Sequence, residues 1–262
     1  MLCSCPHVVN DGCHTIWKPC ASWFLTFVSS SQEEWRGEII QLSWSPRAFL
    51  LKGFLSQAEC DHIIKKATPS MVKSFVVDNK TGKSTDSNIR TSTGMFFSKG
   101  EDDIISKVER RVAQVTMLSV DHQEGMQVLH YHDGEKYEPH FDFFHDAFNA
   151  RPENGGQRVM TMLMYLTTVE EGGETVFPNA DRKVSGPEWS DCATKGLSVK
   201  AQQGDAVMFF SLHADGSTDT TSLHGSCPTL KGDKWSATKW IHVKPFGCGS
   251  MTFFLSFDTL II

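Results

Sequence analysis

The chain changes its period after residue 125. From there on, "MQVLHY" (126–131), "RVMTMLMYLTTV" (158–169), "LSVKA" (197–201), "DAVMFFSL" (205–212) and "WSATKWIHV" (235–243) follow one another. These runs are short, rich in β-branched and aromatic residues, and separated by Gly, Pro, Asp and Asn, which is the pattern of strands joined by turns. Ahead of them lie two helical signals. "SQAECDHIIKKA" (56–67) opens with Ser56 and Glu59 at capping-box spacing. A second box, Ser98 and Glu101, precedes Ile104, Ile105, Val108, Val112 and Val115, a stripe at helical spacing. Helices first and many strands after them predict an α+β chain built on a sandwich or jelly roll.

The ends are less informative. Residues 1–42 show no sustained period and read as an appendage, with four cysteines (Cys3, Cys5, Cys13, Cys20) that form no CxxC pair. "LSWSPRAFLLKGFLS" (42–56) begins the ordered part, its apolar runs punctuated by Pro46 and Gly53. The tail 248–262 is apolar but interrupted by Asp258, and neither it nor "WFLTFV" (23–28) is long enough to span a bilayer. Cys192 and Cys227 lie in the body of the domain and could pair if the compartment is oxidising, which their spacing does not decide. A net charge of −6 argues against a partner recognised through its phosphates, hence against nucleic acid, and admits a neutral or basic peptide.

The chemistry concentrates in "YHDGEKYEPHFDFFHD" (131–146). His140 and Asp142 form an HxD, and two residues apart on an extended backbone they share a face. His213 and Asp215 form a second HxD inside a Gly/Ser/Thr/Asp stretch, which reads as a solvated turn. His224, in a strand far downstream, completes a candidate set with the first pair, and Lys234 follows it. Two imidazoles and one carboxylate on one face of Fe(II) leave three adjacent positions open, two for a chelating 2-oxoacid and one for dioxygen. The far carboxylate of such a cosubstrate needs a buried cation, and Lys234 is the candidate.

"YEPHFDFF" (137–144), "GGETVFP" (172–178), "GDAVMFF" (204–210) and "HGSCPTLKGDKWSATKWIH" (224–242) together resemble the prolyl 4-hydroxylase family of plant and algal type, over residues 43–247. The resemblance implies a double-stranded β-helix (jelly roll) flanked by N-terminal helices. It implies iron on His140, Asp142 and His224, and the 2-oxoglutarate carboxylate on Lys234. Tyr131 resembles the tyrosine that reaches the cosubstrate, and Thr175 and Trp240 resemble walls of its pocket. Arg158, Tyr137 and His242 would grip the peptide. The segment 78–90 resembles a mobile loop that closes over it, with Arg90 and Ser92 near its base. The implied reaction converts peptidyl proline of hydroxyproline-rich or collagen-like proteins to 4-hydroxyproline. It consumes O2 and 2-oxoglutarate, releases succinate and CO2, and uses ascorbate as reductant. The resemblance further implies a monomer in the secretory pathway, although no signal segment is visible. Three alternatives stand beside it: another 2-oxoglutarate oxygenase of the superfamily, an inactive module that binds proline-rich peptides, and a hydrolytic zinc enzyme, which gives Lys234 no role.

Overall fold

A computed structural model describes residues 35–74, 76–77, 84–85 and 90–246. Most of the expected appendage, with its four cysteines, and the tail 248–262 lie outside the described residues. So does most of the loop 78–90, of which Ser84–Thr85 (β5) pairs with Val76–Val77 (β4). Among the described residues no helix is long and apolar enough to cross a membrane.

Helix α1, Gln57–Ala67, starts where the sequence indicates. Ser56 Oγ accepts from the Glu59 amide and the Glu59 carboxylate accepts from the Ser56 amide, a closed capping box. Lys65 and Lys66 in its last turn complement the helix dipole. Helix α2, Asp103–Thr116, starts later than the second box suggests. Its N-cap is Asp102, whose carboxylate accepts from the Ile105 amide at 2.8 Å. The same carboxylate meets His62 and Lys66 of α1, which fixes it as the cap, while Ser98 and Glu101 keep a single 3.3 Å bond. The stripe is turned accordingly: Ile105, Val108 and Val112 are buried, Ile104 and Val115 only half-buried. Arg111 of α2 clamps Glu59 of α1 through both carboxylate oxygens at 2.8 and 2.9 Å.

The main sheet has eight antiparallel strands in the spatial order β1 (Ile39–Trp44), β2 (Arg47–Leu51), β13 (Ala206–Phe210), β9 (Arg158–Tyr165), β16 (Lys234–His242), β7 (Met126–Tyr131), β6 (Thr93–Phe97) and β3 (Val72–Lys73). A second sheet runs β12 (Leu197–Val199), β11 (Thr175–Phe177), β14 (His224–Ser226), β8 (Tyr137–His140), and β10 (Glu171–Gly172) pairs with β15 (Thr229–Lys231). Strand β1 begins before the boundary expected at residue 43. Trp35 explains the earlier start, since its indole N–H donates to the Gly53 carbonyl at 2.9 Å and its ring meets Phe54 edge-on.

Side chains alternate along each strand and so sort onto two faces. Met160, Met162 and Met164 of β9, Met126 and Val128 of β7, and Ala237 and Ile241 of β16 pack with Ile63, Ile105 and Val112 of the helices. The residues between them face the second sheet. There Tyr165, Phe177, Val199, Val207 and Phe209 form a separate apolar cluster. A disulfide joins Cys192 to Cys227, with Cα atoms 5.7 Å apart, and pins the end of β14.

Candidate active site

Between the two sheets this alternation leaves polar side chains aimed inward. His140 ends β8 and faces His224 of β14 in register, their ring centroids 4.4 Å apart. Each ring is held by a backbone carbonyl: His140 Nδ1 donates to Glu138 O at 2.9 Å and His224 Nδ1 to Ser222 O at 3.0 Å. Since a carbonyl can only accept, both Nε2 lone pairs are free and point inward. Asp142, just past β8, sets Oδ1 3.6 Å from His140 Nε2 and Oδ2 3.6 Å from His224 Nε2. Thr161 of β9 donates its hydroxyl to Asp142 Oδ2 at 2.6 Å.

The electrostatics suit metal ligation. Burial, then the neighbouring His224, pulls the His140 imidazolium down to about 3, so the ring is neutral at physiological pH. Burial by itself would raise the Asp142 carboxyl, but His224 and His140 hold it at about 2, so it is ionised. The three ligand atoms lie within 4.8 Å of one another. Two imidazoles and one carboxylate, with the remaining directions open, fit a divalent iron centre.

Behind this set lies a cavity of about 50 Å³, lined among others by Tyr131, Thr175, Phe209 and Lys234. Lys234 is 1% exposed. Its ammonium donates to Ser226 Oγ at 2.7 Å and sits 5.4 Å from the Tyr131 ring. Among the described residues no carboxylate pairs with it. Burial lowers its pKa to about 7, with Glu174 acting weakly in the opposite sense. The Thr175 hydroxyl is fixed by the Tyr165 O–H at 2.8 Å.

In front of the set opens a cleft of about 910 Å³ that Arg90, Phe96, Tyr137, Arg158 and Trp240 help to line. Tyr137 stacks on His140 with centroids 3.7 Å apart, and Arg90 lies over the Tyr137 ring. The Arg158 guanidinium lies 4.0 Å from the Trp240 ring centroid and bonds Glu124 at 2.5 and 3.0 Å.

The match to known proteins agrees with this geometry. Residues 126–242, from β7 through β16, match the model of the 2OG-Fe(II) oxygenase superfamily. The chain is 56% identical over 206 residues to probable prolyl 4-hydroxylase 3 of Arabidopsis thaliana, covering 77% of this chain and 71% of that protein. The chain belongs to the prolyl 4-hydroxylase family. A second relative, prolyl 4-hydroxylase 5 of the same plant, is 50% identical over 224 residues, 83% of this chain and 76% of that one. Among solved structures, the viral collagen prolyl hydroxylase of Paramecium bursaria Chlorella virus 1 in its 2OG complex superposes with a TM-score of 0.54. It is 26% identical and covers 74% of this chain and 94% of that one.

Within this prolyl 4-hydroxylase fold, most residues singled out in the sequence converge: His140, Asp142 and His224 on one point, Lys234, Tyr131 and Thr175 behind it, Arg158 at the cleft, and Trp240, Arg90 and Tyr137 lining both the inner pocket and the cleft. Two do not reach it. His242 is fully buried, its ring turned to Glu124 Oε1 and the Gly156 carbonyl. It supports Glu124, which holds Arg158, and does not line the cleft. Ser92 is also fully buried and does not line the opening; it bonds Ser74 and the Tyr131 hydroxyl, so it meets the pocket only from behind Tyr131. The turn at 213–217 is a solvated one: Asp215 accepts from the Ser217 amide and hydroxyl, and the His213 side chain is exposed. Sequence reasoning missed Thr161 and Glu124. Thr161 had a detectable signal, as an inward-facing polar residue between Met160 and Met162; Glu124 had none.

Proposed function

We propose that this chain hydroxylates C4 of peptidyl proline in proline-rich proteins of the hydroxyproline-rich glycoprotein or collagen-like kind, consuming 2-oxoglutarate and O2 and releasing succinate and CO2. One observation carries the reading. A fully buried lysine with no carboxylate partner among the described residues shares a pocket with a two-histidine, one-carboxylate set, and that pocket opens into a cleft lined by arginines and aromatic rings. An unpaired buried cation is costly, so the pocket is built for an anion. The family membership supplies the rest.

His140, Asp142 and His224 would hold Fe(II), which would supply the chelation of 2-oxoglutarate and the reduction of O2. The chain's own part is to bind and orient. Lys234 and Ser226 receive the far carboxylate of 2-oxoglutarate, with Tyr131 and Thr175 closing the sides of its pocket. Thr161 fixes the Asp142 carboxylate so that its free oxygen direction stays aimed at the metal. Tyr137, Arg90 and the Arg158–Trp240 stack offer flat faces and donors to an extended peptide, placing one proline ring above the histidines. Glu124 and His242 keep Arg158 in place from behind.

Three finer readings belong to the same proposal. The two sheets are read as the halves of a double-stranded β-helix. Counting β7, β8, β9, β11, β12, β13, β14 and β16 as strands one to eight, one sheet takes the first, third, sixth and eighth and the other takes the rest, in support of that reading. Ascorbate is the reductant that restores the metal after uncoupled turnovers. The enzyme works as a monomer in an oxidising secretory compartment, a reading supported by the Cys192–Cys227 disulfide.

The test is incubation of the purified chain with Fe(II), 2-oxoglutarate, ascorbate and a Ser-Pro-rich or polyproline peptide, followed by peptide mass spectrometry and succinate assay. The reading requires one oxygen on proline C4 for each succinate formed. Oxygen on another residue type, or succinate that peptide does not stimulate, would overturn it.

A further inference from the structure

The face of β7 and β16 opposite the cosubstrate pocket carries a second cluster. His130 and Trp235 are partners in the ladder, one position from the Tyr131–Lys234 pair, and their rings stack with centroids 4.0 Å apart. His132 lies against His130, also at 4.0 Å. Asp233 reaches both: its Oδ2 is 3.4 Å from His130 Nε2 and its Oδ1 is 3.3 Å from His132 Nδ1.

An ordinary surface ion pair is the plainest account of such a cluster, and one atom does not fit it. His130 Nε2 is buried and no hydrogen bond satisfies it, despite the carboxylate beside it. A buried polar nitrogen left unsatisfied is uncommon and calls for a missing partner. The three ligand atoms lie within 4.8 Å of one another. The Asp233 carboxylate stands 3.4 Å from His130 through Oδ2 and 3.3 Å from His132 through Oδ1, against roughly 3.3 Å between ligands held at about 2.0–2.1 Å around a tetrahedral ion. The stack on Trp235 holds the His130 ring in the orientation that aims Nε2 at Asp233.

We propose that His130, His132 and Asp233 form a second metal site, separate from the iron centre, that takes one divalent transition-metal ion of zinc's class. His132 and Asp233 are more than half exposed, so the ion enters from solvent and water completes its coordination. The bound ion ties the turn before β16 to the end of β7, the two segments that present Lys234 and Tyr131 to the inner pocket.

Equilibrium dialysis of the metal-free full chain against zinc, with the bound metal counted per chain, tests this. Four proteins are compared: wild type, the double variant His132→Ala/Asp233→Asn, His140→Ala, and the combination of all three changes. A circular-dichroism spectrum and melting curve confirm that each is folded, and His132→Ala alone provides a second, milder variant. The double variant should bind one zinc ion fewer than wild type, His140→Ala one fewer, and the combination two fewer. A double variant that binds as many ions as wild type would overturn the proposal, as would a combination that loses no more than His140→Ala loses. Because losses are counted, zinc on the amino-terminal cysteines cancels between proteins.

Discussion

His140 and His224 stand directly opposite each other in the β8–β14 ladder, although 84 residues separate them in the chain. That pairing makes the metal site a product of strand register, so a ligand loss should act on the site without unfolding the sheet. His140→Ala, Asp142→Ala or His224→Ala should each lower hydroxylation by more than about 100-fold while the melting temperature shifts little. Thr161→Val, which removes only the bond to Asp142, should cost about 10- to 100-fold in metal affinity or rate. His213→Ala should match wild type. Iron titrations and initial rates on the five variants decide this, and an active His224→Ala beside a dead His213→Ala would reverse the assignment.

Arg158 is held at the cleft by Glu124, so peptide and cosubstrate affinities should separate. Arg158→Ala should weaken peptide turnover by tenfold or more and leave 2-oxoglutarate half-saturation within about twofold. Separate titrations of the two substrates read this out. Equal weakening of both would move Arg158 from the peptide cleft to the cofactor pocket.

Glu124 also predicts a pH dependence. Burial would raise its carboxyl, but Arg158 and His242 hold it at about 2, below the ordinary 4.5. A depressed folded-state pKa means that the unfolded chain binds the proton first. Its contribution, about 3 kcal/mol, is therefore full above pH 4.5 and declines as the pH falls toward 2. Glu124→Gln should lose stability on that order near neutrality and show a flatter melting-temperature profile between pH 5 and pH 3. Parallel profiles for variant and wild type would contradict the assignment.

The Cys192–Cys227 bridge closes a loop of 35 residues next to β14. Loop-closure entropy for that length is about 4 kcal/mol. Cys192→Ala/Cys227→Ala should thus melt on the order of 10 °C lower by thermal scanning. A melting temperature unchanged by the double substitution would show that the bridge adds nothing to this fold.

Much of this was legible in the sequence, for local reasons. "MQVLHY" is β7 residue for residue, and the Ser56–Glu59 box forms, because alternation and capping are decided within a few positions. The HxD and the distant histidine were legible because metal chemistry restricts residue type and spacing. What failed depended on partners far along the chain. Asp102 displaced the second box through contacts to His62 and Lys66, 40 and 36 residues away. His242 was turned from the cleft by Glu124, 118 residues earlier. Neither leaves a trace in the local pattern.

Lys234 also makes a proton prediction. Burial holds it near 7, so at pH 8.5 it is mostly neutral, and a carboxylate placed beside it should restore its charge. Binding of 2-oxoglutarate to the metal-loaded enzyme should then take up close to one proton at pH 8.5 and almost none at pH 6. Calorimetry in buffers of different ionisation enthalpy reads this directly. Equal uptake at both values would mean that Lys234 is already charged before the ligand arrives.

The most direct test of the account is the 2-oxoglutarate dependence of succinate formation in wild type and Lys234→Ala, with iron binding measured alongside. The ammonium lies in a buried pocket with Ser226 as its partner, while Arg90, the other basic side chain lining that pocket, is engaged with Gln127 and the Tyr137 ring, so Lys234 is the cation placed for the far carboxylate. Lys234→Ala should bind iron as wild type does and need about 100-fold more 2-oxoglutarate for half-maximal turnover. A half-saturation concentration equal to that of wild type would contradict the claim that this buried lysine receives the cosubstrate.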